Sequence, residues 1–374
     1  MNRCQQCNLP EGKFNVIIDD NGLCNYCEYL EQNRQEIMDY TGREQILLNR
    51  VEKFKGNYRY DAVVGLSGGK DSTYVLLQMV KKYKLNVAAV TFDNGFLTDF
   101  AKESINNTVR ILGVDHYYYK PNWNTHKKFY KIAIQKMGNP CTACSLAGYF
   151  LAIKECSANQ IPFFIHGRSP YQMYRNYYHN SNDVFLNILR FNLEEHSFAK
   201  LSQLYSMINN YVRQLITRMV GNVVDAKAIT GEFFVDSNNL TEQFTPEFLA
   251  YFLFEEYDEE RIKKQLEEAL GWQRHSSDNL LTHHDCGIHD AAMYMFKELN
   301  EVDKLEREIA VMVRFGQISR EKARELMRVN ELKTPELEKS LDSLCALCEF
   351  SREDLNNCLA ALKQAGGSKF ESVL

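Results

Sequence analysis

The chain has 374 residues, of which 45% are hydrophobic and 25% charged, a balance typical of a soluble globular protein. Its net charge of −5 gives no overall basic field, which argues mildly against a nucleic-acid substrate. No apolar run approaches the roughly 20 residues that a membrane-spanning helix needs, and no apolar stretch follows Arg3 as it would in a signal peptide. We therefore expect a cytoplasmic protein with no membrane partner.

Eleven cysteines, an odd number, are spread along the chain. Thiols stay reduced in the cytosol, so metal binding or chemistry is favoured over a disulfide framework. The sequence pattern predicts five segments: a four-cysteine knuckle at 1–30, a connecting helix at 31–57, an α/β core at 58–170, a continuation of the core with helical substrate-side additions at 171–330, and a small helical cap at 331–374.

Four short apolar runs predict buried parallel strands, at 61–66, 86–92, 115–120 and 161–166. Helical patterns lie between and beside them, at 73–83, 100–112, 124–137 and 146–158. Strands that alternate with helices predict βαβ units, and hence an α/β fold with a parallel sheet and helices on both faces. After residue 168 the alternation stops, and we expect mostly helices with a short strand near 228–234.

A glycine-rich turn, Ser-Gly-Gly-Lys-Asp-Ser at 67–72, follows the first predicted strand and leads into a helix. Paired glycines let the backbone approach a phosphate closely, and the helix N-terminus presents N–H groups and its dipole to the anion. Ser67 and Ser72 add hydroxyl donors, and Lys70 adds a positive charge. The turn differs from the longer loop of ordinary P-loop NTPases. It resembles the Ser-Gly-Gly-x-Asp-Ser signature of the PP-loop ATP-pyrophosphatases.

This resemblance implies that 58–170 is a PP-loop ATP-pyrophosphatase core of the adenine nucleotide alpha hydrolase-like type. In that family a substrate oxygen attacks the α-phosphate of ATP, pyrophosphate leaves, and a nitrogen or sulfur nucleophile displaces AMP. It implies catalytic roles for Lys70 and Asp71, with Asp71 helping to hold Mg²⁺, and adenosine near Asp93, which otherwise serves as a turn residue. Arg168 follows the fourth strand, at the edge where parallel sheets bind ligands, and either binds substrate or phosphate or lies on the surface. The expected ATP-binding residues are Leu66, Ser67, Gly68, Gly69, Lys70, Asp71, Ser72, Asp93, Gly167 and Arg168.

Two Cys-x-x-Cys pairs lie near the N-terminus, and their members are Cys4, Cys7, Cys24 and Cys27. Each pair places two thiolates on one side of a tight knuckle, and two knuckles complete a tetrahedral four-thiolate site. Such a closed site predicts structural Zn²⁺. The alternatives are an iron–sulfur cluster and unliganded thiols.

Three further cysteines, Cys141, Cys144 and Cys286, are candidates for catalysis. Three thiolates around one corner of a cleft can hold a [4Fe–4S] cluster whose fourth iron is free to carry sulfide to an adenylated substrate. Cys144 precedes the helix predicted at 146–158, whose N-terminus would lower the pKa of its thiol. The alternatives are packing as small hydrophobic side chains and a second zinc site completed by His283, His284 or His289.

The pair Cys141-x-x-Cys144, followed by a helix and then Ile165-His166-Gly167, resembles a stretch of the iron–sulfur-dependent tRNA thiolation enzymes. Those enzymes combine a PP-loop with one later cysteine, which Cys286 matches. The resemblance implies sulfur transfer. Where that family usually has Gly-His-Asn-x-Asp-Asp, this chain has Gly-Arg-Ser-Pro-Tyr-Gln at 167–172, without either acidic residue.

A second resemblance covers more of the chain and is to the N-acetyl sugar amidotransferases of surface-polysaccharide synthesis. It rests on the N-terminal cysteine knuckles, on the PP-loop, and on the stretches 20–27, 270–272, 284–285 and 313–323. It implies glutamine-derived ammonia as the nucleophile. The pattern of that family has no counterparts of the three further cysteines.

Together these residues predict an enzyme that adenylates a substrate oxygen with ATP and Mg²⁺ and releases pyrophosphate. The three further cysteines favour sulfur as the nucleophile, with Zn²⁺ and a [4Fe–4S] cluster as additional cofactors. An N-acetyl sugar amidotransferase is the main alternative, and a non-catalytic nucleotide-binding protein is the second. We expect a small-molecule or sugar substrate rather than tRNA, and a sulfur donor or a glutaminase as partner. The sequence leaves the oligomeric state open, a homodimer included.

Overall fold

The computed structural model describes residues 2–177, 184–273, 285–329 and 334–366. Its strands are β1 (Ala62–Gly65), β2 (Val87–Phe92), β3 (Asp115–Tyr119), β4 (Phe163–His166) and β5 (Glu247–Ala250). Its helices are α1 (Asn25–Gln32), α2 (Arg34–Met38), α3 (Arg43–Phe54), α4 (Lys70–Lys81), α5 (Asp99–Leu112), α6 (Trp123–Met137), α7 (Cys141–Ala158), α8 (Pro170–Tyr177), α9 (Val184–Leu193), α10 (Phe198–Val220), α11 (Val223–Phe233), α12 (Glu259–Leu270), α13 (His289–Asn300), α14 (Leu305–Arg314), α15 (Arg320–Val329), α16 (Thr334–Cys348) and α17 (Arg352–Gln364).

The described strands form one parallel sheet in the order β3-β2-β1-β4-β5. β1 lies at its centre, where Val64 is in register with Ala89 of β2 and with Ile165 of β4. The chain builds outward from β1 to β3 and then returns to the other side of β1 with β4. The order in which the strands are added therefore reverses between β1 and β4. Ligands of doubly wound sheets bind at such a switch point, beside the carboxyl ends of the strands.

Helices cover both faces of the sheet, as the sequence predicts. Ala62 and Val64 of β1 are buried in the same core cluster as the apolar side chains of α4. Val63 lies in a second cluster, on the opposite face, with Ala152 and Cys156 of α7. This alternation along β1 confirms the predicted α/β class with a sheet buried on both sides.

One strand prediction is wrong, and one strand was missed. The strand expected near 228–234 belongs to α11, because the side chain of Asn222 accepts hydrogen bonds from the N–H groups of Val224 and Asp225 and starts a helix there. Conversely, β5 was not expected, since it is short and begins with the charged residue Glu247. The four other predicted strands are confirmed.

β5 is fixed at the edge of the sheet by a buried ion pair. Arg50 of α3 contacts the carboxylate of Glu247, and its guanidinium also donates hydrogen bonds to the carbonyl oxygens of Asn192 and Glu194. Both charged side chains are buried, so each one depends on the other for compensation.

The single connecting helix expected at 31–57 is wrong, because Gly42 at φ 75° separates α2 from α3.

The C-terminal helices pack on the core rather than extending away from it. α14 packs against α8, which begins directly after the carboxyl end of β4, and α16 and α17 pack against α6 and α13. Within the described ranges, no helix has the length and apolar character needed to cross a membrane.

Candidate nucleotide-binding and cysteine site

The phosphate loop lies between the carboxyl end of β1 and the first turn of α4. Because α4 begins at Lys70, earlier than the predicted start at 73, the N–H groups of Lys70, Asp71 and Ser72 belong to its first turn and have no carbonyl partner within the helix. Gly68 has φ 84°, and a Cβ at this position would lie 2.5 Å from the carbonyl oxygen of Ala101. The loop therefore requires glycine at this position and presents free N–H groups, as an anion-binding turn does.

Ser67 and Ser72 close the loop on itself. The N–H of Ser67 donates to Oγ of Ser72 at 3.1 Å, and the two hydroxyl oxygens are 3.2 Å apart. The Ser72 hydroxyl donates to the carbonyl oxygen of Gly69, whose own N–H donates to the Ser67 hydroxyl. The two hydroxyls expected to face a phosphate thus shape the loop in this structure.

Lys70 and Asp71 form a half-buried pair at the mouth of the loop. Nζ of Lys70 lies 3.1 Å from Oδ1 of Asp71, and the hydroxyl of Tyr257 donates to the same oxygen at 2.9 Å. Burial acts to lower the pKa of Lys70, but the charges of Asp71 and Glu259 outweigh it, so the pKa is raised and the amine stays protonated. The pair offers one fixed cation and one carboxylate beside the free N–H groups.

The loop opens into a cleft of about 480 Å³ at the carboxyl edge of the sheet, between β1 and β4. The cleft thus lies at the switch point that the strand order defines. Among the residues proposed from the sequence, its wall contains Leu66, Ser67, Gly69, Lys70, Asp71, Ser72, Gly167, Arg168, Cys144 and Cys286.

The end of β4 lies directly beside the loop and also lines the cleft. A Cβ on Gly167 would lie 2.8 Å from the carbonyl oxygen of Asp71, so glycine allows β4 to approach the loop closely. Arg168 lines the cleft and is not merely a surface residue, and its guanidinium carbon lies 5.0 Å from the ring centroid of Tyr149. Asp93 accepts a hydrogen bond from the N–H of Gly95, as a turn residue does, and its contact with adenosine stays a prediction.

The four N-terminal cysteines form one buried metal site. The sulfurs of Cys4, Cys7, Cys24 and Cys27 all lie within 4.8 Å of one another, with 3.7 Å between Cys4 and Cys27 and 3.5 Å between Cys7 and Cys24. A tetrahedral ion with Zn–S bonds of about 2.3 Å requires sulfurs about 3.8 Å apart. The thiols therefore have the spacing of ligands around a single ion.

Backbone and arginine donors surround these sulfurs. The N–H groups of Cys7 and Cys24 donate to Sγ of Cys4, and Nη1 of Arg314 donates to Sγ of Cys7 at 3.4 Å. Arg320 donates to the carbonyl oxygen of Cys4. Two arginines of the stretch 313–323 thus contact the N-terminal knuckle.

Cys144 and Cys286 meet at one corner of the cleft, and Cys141 lies near them without lining it. Cys141 is the first residue of α7 and Cys144 lies in its first turn, so the prediction that both precede the helix is wrong. Oδ1 of Asn139 accepts a hydrogen bond from the N–H of Cys141, and Pro140 occupies the N-cap position. These two residues explain why α7 begins at 141 and not at 146 as predicted. Cys286 comes from a segment beside residues 96–98, where it bridges to Leu97.

The expected lowering of the pKa of Cys144 by the helix N-terminus is also wrong. Burial raises the pKa of Cys144 well above its ordinary value, and the charges of Cys286 and Cys141 act in the same direction. Burial likewise raises the pKa of Cys286 to about 12. Desolvation outweighs the helix dipole at this corner.

A side-chain amide joins two of these sulfurs. Nδ2 of Asn94 lies 3.7 Å from Sγ of Cys144 and 3.9 Å from Sγ of Cys286. The hydroxyl of Tyr130 lies 2.6 Å from Sγ of Cys144 and 3.0 Å from the carbonyl oxygen of Asn94. Within the described residues, the three sulfurs do not form a group closer than 4.8 Å to one another, unlike those of the N-terminal knuckle.

Of the histidines proposed for a second zinc site, His283 and His284 lie outside the described residues. His289 is the first residue of α13, and no group that includes it with the three cysteines falls within 4.8 Å in the described part of the chain.

Several cleft residues were missed in the sequence. Asn94 follows β2 in an Asp-Asn-Gly turn, and Asp285 directly precedes Cys286, so each had a local signal beside a residue already considered. Tyr257 and Glu259 had none, and neither had Tyr130, which contacts Cys144 without lining the cleft. All three lie in ordinary helical or loop patterns, far in sequence from the residues that they influence.

No known family model matches the chain. The uncharacterized protein MJ1599 of Methanocaldococcus jannaschii is 30% identical over 135 residues, which cover 36% of this chain. The match spans 44% of that relative's length.

Among solved structures, the U34-tRNA thiolase NcsA from Methanococcus maripaludis with its [4Fe-4S] cluster is similar over 89% of this chain and 90% of its own, with 15% identity and a TM-score of 0.31. The NH3-dependent NAD synthetase of Campylobacter jejuni is similar over 57% of this chain and 100% of its own, with 13% identity and a TM-score of 0.29. The NMN synthetase of Francisella tularensis is similar over 72% of this chain and 96% of its own, with 12% identity and a TM-score of 0.28. The parallel sheet in the order 3-2-1-4-5, with a Ser-Gly-Gly-Lys-Asp-Ser loop at its switch point, gives this chain the adenine nucleotide alpha hydrolase-like (PP-loop) fold.

Proposed function

We propose that this protein is an ATP-dependent adenylating enzyme that replaces a substrate oxygen with sulfur. One observation carries the proposal: the phosphate loop and two of the three further cysteines line the same cleft of about 480 Å³. A nucleotide held by the loop would place its reacting phosphate within the same enclosure as Cys144 and Cys286.

The first half-reaction depends on the loop. The free N–H groups at the start of α4 and the protonated amine of Lys70 bind the pyrophosphate end of ATP, and Asp71 holds Mg²⁺. A substrate oxygen attacks the α-phosphate, the bond between the α- and β-phosphates breaks, and pyrophosphate leaves with the electron pair. Lys70 and the N–H groups stabilise the charge that develops on that leaving group.

The second half-reaction replaces AMP. Hydrosulfide supplies sulfur to the activated carbon and loses its proton, and AMP leaves with the substrate oxygen. Exclusion of bulk water from the cleft would protect the activated substrate from hydrolysis. Arg168 lines the same cleft and would neutralise the charge of the departing AMP.

The spacing of Cys141, Cys144 and Cys286 disfavours a single zinc ion bound by all three, and the proposal assigns them a cluster instead. A single zinc ion draws its sulfurs to about 3.8 Å, whereas a cubane cluster binds each thiolate through a separate iron and needs them farther apart. These sulfurs are outside the 4.8 Å grouping of the N-terminal site, within the described residues. When bound, such a cluster supplies an iron that is free to carry sulfide.

The N-terminal site has a different role in this proposal. Its four thiolates leave no open position on a tetrahedral ion, so we assign it structural zinc. Two arginines of 313–323 contact this knuckle, so two of the stretches that resemble the sugar amidotransferases lie together in the scaffold. Ammonia stays the alternative nucleophile.

The experiment is anaerobic purification followed by analysis of iron, sulfide and zinc. We expect about four irons and about one zinc per chain. Cys144→Ser should lose the iron and retain the zinc. Cys358→Ser, in the C-terminal helix α17, is the matched control and should retain both metals. Wild-type protein with zinc alone would reject the cluster.

Activity is tested on the same preparations. Candidate small metabolites and sugars should trigger the release of pyrophosphate. When sulfide is added, the same reactions should also yield AMP and a sulfur-containing product. Turnover with ammonia and none with sulfide would support the amidotransferase instead.

A further inference from the structure

We propose that Asn94 and Tyr130 are positioning residues that hold the sulfurs of Cys144 and Cys286 as hydrogen-bond acceptors at the cluster site. The inference rests on the cluster assigned above, and concerns which groups of the chain set its properties. It follows from the contacts of one amide and one hydroxyl.

The amide of Asn94 has two hydrogens, and each of the two sulfurs lies within reach of Nδ2, at 3.7 Å and 3.9 Å. An N–H₂ group only donates, so both sulfurs act as acceptors toward it. Thiolates and metal-bound sulfurs accept such bonds better than neutral thiols do, because they carry more negative charge. One side chain thus contacts the sulfurs of two cysteines that are far apart in the sequence.

The remaining contacts fix the orientation of this amide. Oδ1 of Asn94 accepts the N–H of Phe96 at 2.8 Å, so the nitrogen, and not the oxygen, faces the sulfurs. The carbonyl oxygen of Asn94 lies 3.0 Å from the hydroxyl of Tyr130. Asn94 is therefore held at both its side chain and its backbone.

Tyr130 adds a second donor. Its hydroxyl lies 2.6 Å from Sγ of Cys144, and its ring is buried against Phe96 and His126. When Cys144 has no proton of its own, the hydroxyl hydrogen is available to its sulfur. Cys144 then accepts from two donors and Cys286 from one.

Hydrogen bonds to cluster sulfurs stabilise the more negative, reduced state and raise the reduction potential. Removing them should therefore lower the potential without removing an iron ligand. A residue that only shaped the turn at 94–96 would change stability and leave the potential where it is.

The test is a redox titration of the reconstituted full-length protein, followed by EPR, for wild type and Asn94→Ser. Serine keeps an acceptor for the N–H of Phe96 but is too short to reach both sulfurs. Asn107→Ser is the matched control, because Asn107 makes a similar amide bond, to the carbonyl oxygen of Leu270. We expect a more negative midpoint potential in Asn94→Ser alone, at unchanged iron content.

If Asn94→Ser cannot hold the cluster, Tyr130→Phe decides, since it keeps the ring and removes only the hydroxyl. Tyr119→Phe is its control, because the hydroxyl of Tyr119 bonds to Glu232. An unchanged potential in the variant that holds the cluster overturns this inference and leaves the proposed function intact. Wild-type protein without iron overturns both.

Discussion

The guanidinium of Arg314 donates a hydrogen bond to the sulfur of Cys7, with 3.4 Å between Nη1 and Sγ, and both residues are buried. Hydrogen bonds from the thiols of Cys24 and Cys27 lower the pKa of Cys7 to about 7, and the charge of Arg314 acts in the same direction. The C-terminal helix α14 is thereby tied to the metal site near the N-terminus.

Arg314→Met should weaken metal binding while keeping most of the buried volume. Partners of metal ligands typically contribute about 10–100-fold in affinity, so we expect a loss in that range. Competition with a zinc chelator measures it. Arg324→Met, on the exposed side of α15, is the control, and equal affinities of the two variants would contradict a role for Arg314.

Lys70→Ala should abolish ATP-dependent pyrophosphate release. Removing a group that stabilises the developing charge typically costs about 100-fold or more in turnover. Lys81→Ala, at the other end of the same helix, is exposed and should leave the rate unchanged. A Lys70→Ala protein that releases pyrophosphate at the wild-type rate would refute the assignment of the loop.

Gly68→Ala should impair both nucleotide binding and folding. The left-handed backbone alone costs alanine about 1 kcal/mol or more, and the new Cβ would clash with the carbonyl oxygen of Ala101. Gly113→Ala shares the positive φ, 66°, but meets no atom within 4 Å, so it isolates the cost of the conformation. Calorimetric ATP binding and urea unfolding should show a larger loss in Gly68→Ala.

His126→Phe should make the protein less sensitive to acid. Within the described residues neither ring nitrogen of His126 has a hydrogen-bond partner, and burial lowers its pKa to about 3. The unfolded chain takes up a proton near pH 6.5 and the folded chain does not, so stability falls as the pH drops from about 6.5 toward 3.

Between pH 8 and pH 5 this group should account for about 2 kcal/mol of lost stability, since one pKa unit corresponds to about 1.4 kcal/mol. Phenylalanine fits the surrounding rings of Phe92 and Phe233 and removes this contribution. Urea unfolding of both proteins at the two pH values measures the difference. Parallel losses in wild type and variant would show that His126 is not responsible.

The sequence was sufficient wherever a feature is local. The loop at 67–72 and the pair Cys4-x-x-Cys7 are short patterns whose chemistry follows from spacing, and the four apolar runs gave four strands correctly. β5 escaped because a four-residue strand that starts with glutamate has no alternation to detect. Its charge is tolerated only because Arg50, far away in the chain, compensates it.

Contacts across long sequence separations could not be predicted. Tyr257 reaches Asp71 over 186 residues, and Arg314 reaches Cys7 over 307. The pKa of Cys144 was expected to fall from local geometry, yet the burial that raises it comes from side chains that fold around it. What the sequence could not supply is therefore the environment of each reactive group.

The hydrogen bonds between Ser67 and Ser72 have a consequence for the energetics of the nucleotide site. The loop holds its shape through its own hydroxyls and N–H groups, so its conformational entropy is lost when the chain folds and not when ATP arrives. Binding then has to order only the ligand. A substitution that breaks the serine bridge would leave the anion contacts available. The entropy cost of ordering the loop would then be part of the free energy of ATP binding.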